Sequence, residues 1–205
     1  MSAVAVSADQ IKKIRELTGA GIMDCRKVLE ETSGDLDKAL ALLRERGAAK
    51  AMSKEGRKAE EGTIMAYVHH GGKLGAMVEL NCETDFVARN EEFVQLAKEL
   101  AMQIAATGPR WVTKEEVPPA FIAEQQEEFR KHAAELNKPV DATVAEKTEQ
   151  LIAQVVLLEQ AYIRDNAVTV ASLITEKVAK FGERIRVKRF QVFKLGEAED
   201  QAPAA

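Results

Sequence analysis

This sequence predicts an α+β fold, on three observations. Apolar residues recur every three or four positions in the first 47 residues and again from Phe93 onward, the period of a buried helical stripe. Two strand-like runs, Thr63 to His70 and Lys73 to Cys82, flank Gly71-Gly72, the signal of a β-hairpin. A third strand-like run, Glu183 to Leu195, closes the chain. The expected architecture is an N-terminal three-helix module followed by a small antiparallel sheet of about three strands covered by helices. Its segments are residues 1–47 (the module), 48–61 (a basic helical linker), 62–195 (the α+β core) and 196–205 (a frayed, disordered tail).

Each element has a local reason. Ser7 with Gln10 three residues later forms a capping box, after which Ile11, Ile14 and Leu17 mark one stripe until Gly19. Gly19-Ala20-Gly21 is a tight connection, because glycine enters left-handed backbone regions cheaply. Ile22, Cys25, Val28 and Leu29 form the second stripe. Asp35 caps a third helix with Leu36, Ala39, Leu40 and Leu43, closed by Gly47. Lys, Glu and Ala dominate from Ala48 to Glu61, the expected domain boundary.

Beyond the hairpin, Phe93, Leu96, Ala97, Leu100 and Ile104 give a firm helix ended at Gly108-Pro109. Pro118-Pro119 breaks the chain, and a charged surface helix is expected from about Ala120 to Asn137. Further helices are expected from about Thr143 to Gln160 and from about Thr169 to Lys180. In the last strand Ile185 and Val187 share one parity and Phe190 and Val192 the other, so a bulge is expected near Lys188-Arg189.

Composition narrows the function. Of 205 residues, 46% are hydrophobic and 30% charged, an ordinary globular balance, while aromatics at 5% leave the core to aliphatic residues. No window approaches the roughly 18 uninterrupted apolar residues of a membrane span, and the first residues lack a signal-like segment. Cytoplasm is the expected location. Cys25 and Cys82 lie far apart without metal-ligand spacing and are read as buried small hydrophobes rather than a redox pair.

Residues 1–58 hold 12 Lys/Arg against 9 Asp/Glu, residues 59–150 hold 9 against 17, and the rest 8 against 7. An acidic middle fits a protein partner better than a phosphate backbone. A nucleic-acid-binding protein using the basic 44–58 and 184–189 segments is the alternative function. No phosphate-cradling loop, dinucleotide fingerprint or nucleophile elbow occurs. His69 and His70 are adjacent near a strand end and read as solvated turn residues, and Glu83 with Asp85 lacks a partner nucleophile. A hydrolase built on His69, His70 and Asp85 is a further rival. No enzyme, cofactor or metal site is expected.

One junction stands out, Asn81-Cys82-Glu83-Thr84-Asp85-Phe86-Val87-Ala88-Arg89-Asn90, where a strand gives way to a helix. Two readings are open. Thr84 or Asp85 caps the helix and Phe86 packs back on the sheet, or Phe86 projects as an interface anchor flanked by a charge.

The stretch Arg15 to Leu29 (Arg-Glu-Leu-Thr-Gly-Ala-Gly-Ile-Met-Asp-Cys-Arg-Lys-Val-Leu) resembles the first signature of the translation elongation factor Ts family. Glu79 to Arg89 (Glu-Leu-Asn-Cys-Glu-Thr-Asp-Phe-Val-Ala-Arg) resembles its second. The resemblance extends from about Asp9 to Leu195. It implies a guanine-nucleotide exchange factor for the GTPase elongation factor Tu, in its GDP-bound and nucleotide-free forms. It also implies that the first module is ubiquitin-associated-like and docks on the GTPase through Ile22, Met23 and Arg26. Thr84, Asp85, Phe86 and Val87 would intrude near the nucleotide site and dislodge magnesium. Arg26 stands where many members have Lys, and Ile22 where Met is common. For a short member the resemblance implies a homodimer paired through its sheets, with Arg184 to Lys194 as a candidate edge. A plain adaptor reading ubiquitin-like partners through the first module is the weakest alternative, since it leaves the hairpin core unexplained.

Overall fold

A computed structural model describes residues 6–136 and 139–197. The first helix, α1 (Ala8–Thr18), begins at the expected capping box. The Gln10 amide donates to Ser7 Oγ at 3.1 Å and the Ser7 amide to Gln10 Oε1 at 3.0 Å. Gly19 ends it in the left-handed region at φ 64°. Then come α2 (Ile22–Glu31) and α3 (Leu36–Met52), the latter capped by Asp35, whose carboxylate accepts from the Lys38 amide at 3.1 Å. Ile14, Cys25, Val28, Leu29, Ala39 and Leu43 form the core of this bundle.

Two expectations fail here for stated reasons. Gly47 does not stop α3, which runs on to Met52. A Cβ on Gly47 would lie 3.3 Å from Ala179 Cβ, so the glycine answers a close helix approach rather than a terminus. Leu17 and Ile22, read as stripe residues, are 59% and 54% exposed, because the bundle buries only the arc through Ile14, Cys25, Val28 and Leu29.

The strands β1 (Glu61–Val68) and β2 (Leu74–Cys82) form the hairpin. Its turn is wider than the expected two residues. The His69 amide donates to the Leu74 carbonyl and the Gly72 amide to the His69 carbonyl, leaving residues 70–73 in the loop with both glycines at positive φ. A one-turn helix, α4 (Asp85–Ala88), leads to α5 (Glu91–Thr107), which is capped by Asn90, buried along Phe93, Leu96, Ala97, Leu100 and Ile104, and ended by Gly108 at φ 59°.

Two helices follow, α6 (Pro119–Glu135) and α7 (Val140–Val155), packed on each other. Asn137, the expected end of the first, lies outside the described residues. The second stops five residues before the expected Gln160, because Val156 turns extended and bridges Trp111 in parallel. A small hairpin, β3 (Ala161–Tyr162) and β4 (Asp165–Thr169), was not expected at all. The chain then forms α8 (Val170–Phe181) and β5 (Arg186–Lys194).

The three-stranded antiparallel sheet has the order β1-β2-β5, so the α+β class is as expected. The inward parity of β5 changes between Lys188 and Arg189, both exposed. Both side chains grip Glu79, at 2.9 and 2.7 Å. Consecutive residues of a regular strand face opposite ways, so this shared grip is the behaviour expected of a bulge.

The described residues form two compact units. One gathers residues 6–62, 81–87 and 172–186, the other 63–80, 88–136, 139–171 and 187–197. From residue 198 the expected tail lies outside the described residues. Among the described residues, no helix is long and apolar enough to cross a membrane.

Candidate functional site

The first stretch singled out in the sequence, and residues 81–87 of the second, fall in the first compact unit. The end of β2 brings Cys82 into the interior, and its thiol donates to the Thr84 carbonyl at 3.2 Å. Burial, then the nearby Glu183 charge, push this thiol up to about 11. The Thr84 hydroxyl accepts from the Val87 amide at 3.3 Å, capping the single turn of α4. That geometry sends Val87 inward at 5% exposed and Phe86 outward at 80% exposed. Asp85 is also exposed. Thr84 caps as the first reading expects, but Phe86 does not pack back on the sheet and projects instead.

The base of this projection is held from far along the chain. The Glu183 carboxylate accepts the Glu83 amide at 3.1 Å and the Thr84 amide at 3.0 Å through Oε2, and the Thr84 hydroxyl at 2.7 Å through Oε1. In return the Glu83 carboxylate accepts the Arg184 amide at 2.6 Å and Arg57 Nη1 at 3.2 Å. The amide bond from Arg184, with Arg57 beside it, holds the Glu83 carboxyl below the usual range. The Arg184 guanidinium also donates to the Arg57 carbonyl.

In the bundle, Ile22, Met23 and Arg26 all lie on the exposed side of α2, Met23 at 73%. Arg26 Nε donates to Glu30 Oε1 at 2.8 Å, one turn on, which holds the guanidinium along the helix. A shallow concavity beside Ile22 is lined by Ile11, Arg15, Gly19 and Lys180. Sequence reasoning missed Glu183 and took Leu17 as core. The only local signal for Glu183 was its position just after the helix-ending Gly182.

His69 and His70 sit exposed at the hairpin loop, and the Tyr67 hydroxyl lies 3.1 Å from His69 Nδ1. Among the described residues no three His, Cys, Asp or Glu side chains are grouped to hold a metal.

Comparison with known proteins bears on the same stretches. The family profile described as Elongation factor TS matches residues 3–197. The chain belongs to the elongation factor Ts family. Its relatives include elongation factor Ts of Thermodesulfovibrio yellowstonii, 47% identical over 97% of this chain and 100% of that one. Elongation factor Ts of Thermotoga neapolitana is 49% identical over 94% of this chain and 98% of the relative. That of Carboxydothermus hydrogenoformans is 46% identical over 94% and 90%. As an elongation factor Ts the chain works in translation and protein biosynthesis, and the family implies nucleotide exchange on elongation factor Tu.

Proposed function

We propose that this chain acts in the cytoplasm by wedging Phe86 into elongation factor Tu, so that the supports of the bound magnesium shift and GDP leaves. The observation that carries this reading is an aromatic side chain 80% exposed on a rigidly held turn. Burying such a side chain is worth about 1.5 to 3 kcal/mol, a gain the folded chain alone forgoes. A pocket on a partner recovers it.

No catalytic residue is needed. Coupling between two ligands is reciprocal, so whatever affinity the factor loses when GDP is bound, GDP loses when the factor is bound. Magnesium bridging the phosphates is the largest local charge in such a site, and moving its supporting loops weakens GDP strongly. In this reading Phe86 fills an apolar pocket, with Thr84, Asp85 and Val87 setting its position. Ile22, Met23 and Arg26 dock the bundle on the GTPase domain.

The test is release of a fluorescent GDP analogue from elongation factor Tu. Phe86→Ala should fold normally and need about 30- to 1000-fold more protein for the same acceleration, the usual cost of losing a buried aromatic anchor. Wild-type release in that variant sinks the wedge.

The open face of the sheet supports a homodimer as part of the same reading. Ile64, Val68, Met77, Phe193 and Leu195 are all exposed, from 43% to 76%, and the last four border a groove lined mainly by apolar residues. In this reading pairing runs through that face, while β5, the strand of the candidate edge, stands at one side of the sheet. Several basic residues of the nucleic-acid alternative already stand beside carboxylates. Arg46, Lys50 and Arg57 pair with Glu31, Asp24 and Glu83, and Lys188 and Arg189 pair with Glu79.

A further inference from the structure

We propose that Glu183 is a positioning residue for exchange, aiming Phe86 from the opposite end of the chain; the proposal rests on the wedge reading above. The geometry is specific. Helix α8 ends at Phe181, Gly182 turns the backbone at φ 73° while its amide donates to the Val178 carbonyl, and the next residue delivers its carboxylate under the projection. One carboxylate collects three donors from two consecutive residues, Glu83 and Thr84, which stand immediately before Asp85 and Phe86. The return bond from the Arg184 amide to Glu83 closes a reciprocal strap about 100 residues apart in sequence.

Such a strap is not needed to satisfy buried groups. Thr84 is exposed and Glu83 and Glu183 are half-buried, so water can serve these donors if the carboxylate is removed. What water cannot do is set the angle at which the chain leaves β2. The carboxylate fixes two amides and a hydroxyl against one rigid helix end, with charge-assisted bonds stronger than neutral ones. The Thr84 hydroxyl is thereby oriented to keep its own acceptor lone pair on the Val87 amide. Glu183 therefore holds both the entry to α4 and its cap. Loosening it lowers the fraction of molecules with Phe86 correctly aimed, and apparent affinity falls by that fraction.

The experiment measures GDP release from elongation factor Tu across a range of factor concentrations, for Glu183→Ala, Glu183→Gln, Phe86→Ala and the Phe86→Ala/Glu183→Ala double variant. Amide hydrogen exchange is followed on the same proteins. Glu183→Ala should raise the half-saturating concentration roughly tenfold while leaving the saturated rate nearly unchanged. Exchange should rise at the Glu83, Thr84 and Val87 amides but not in the core of α1 to α3. Glu183→Gln keeps one oxygen for both amides and turns its NH2 toward Thr84 Oγ1, so it should stay within about threefold of wild type. On the Phe86→Ala background, removing Glu183 should change release less than about twofold, because the residue acts only through the projection.

Wild-type half-saturation in Glu183→Ala with Phe86→Ala impaired overturns the positioning role and leaves the wedge standing. Wild-type release in Phe86→Ala overturns the wedge and this proposal with it. Equal losses from Glu183→Ala with and without Phe86, a Glu183→Gln no better than Glu183→Ala, or protection lost throughout the bundle would each make Glu183 a general structural residue and overturn the proposal.

Discussion

Phe86 and Val87 are neighbours of similar apolarity with opposite fates, 80% and 5% exposed. The difference comes from the Thr84 cap, which starts one helical turn and so points successive side chains about 100° apart. Cys82, two residues before that cap, shows the converse case of a reactive group made inert. It is fully buried, unpaired with Cys25, and pushed up to about 11. A thiol that stays protonated is a poor nucleophile. Native protein at pH 8 should therefore leave Cys82 unmodified by a disulfide reagent, with modification following only on unfolding in denaturant. Rapid labelling of Cys82 in the native state would contradict this. The linkage runs the same way. Because the folded value lies above the unfolded one, this thiol's contribution to stability is whole below about pH 9 and should be lost as pH rises toward 11. A denaturation midpoint that falls over that window in wild type, and falls less in Cys82→Ala, is the expected result.

Among the elements, α5 and the β3–β4 hairpin show how a polar network substitutes for length. A two-stranded hairpin is marginal alone. Here Gln103, fully buried on α5, donates to Gln160 Oε1 at 3.0 Å and to the Ala161 carbonyl at 3.2 Å, and accepts the Ile163 amide at 2.8 Å. Glu99 adds the Tyr162 hydroxyl at 2.9 Å and Arg164 at 3.0 Å. Gln103→Leu keeps the volume but removes three hydrogen bonds, each worth about 0.5 to 1.5 kcal/mol net. Chemical denaturation should show a loss of about 2 kcal/mol or more, and hydrogen exchange should rise first in residues 161–169. A neutral substitution would mean the hairpin holds itself. None of this was legible locally. Ala161–Tyr162 is too short for any period, and Gln103 lies within an apolar helical stripe where a polar residue carries no label of its partner. By contrast α1, α5 and the β1–β2 hairpin were legible because their caps, stripes and glycines lie within a few residues of each other.

At the scale of the molecule, the contiguous stretches of the sequence are not the compact units. The first unit draws residues 81–87 and 172–186 to the bundle, and so gathers the first signature stretch, the centre of the second and Glu183. The open sheet face belongs to the other unit. If it pairs with a second copy, Phe193→Asp should weaken dimerisation by at least about 30-fold, the cost of a lost aromatic anchor. Sedimentation equilibrium would then find monomers at concentrations where the wild type is dimeric. An unchanged molecular mass would remove the face-to-face pairing.

The sequence by itself determined the α+β class, most helix starts and stops, and the two stretches that place the chain in the elongation factor Ts family. Periodicity, capping and turn chemistry act over a handful of residues, so a linear reading captures them. The tertiary structure was needed to show that Phe86 and Leu17 project while Val87 is buried, that α3 passes through Gly47, and that Glu183 braces Thr84. Burial and long-range hydrogen bonds depend on what the rest of the chain brings to a surface, and residues about 100 positions apart share no local pattern to announce their meeting.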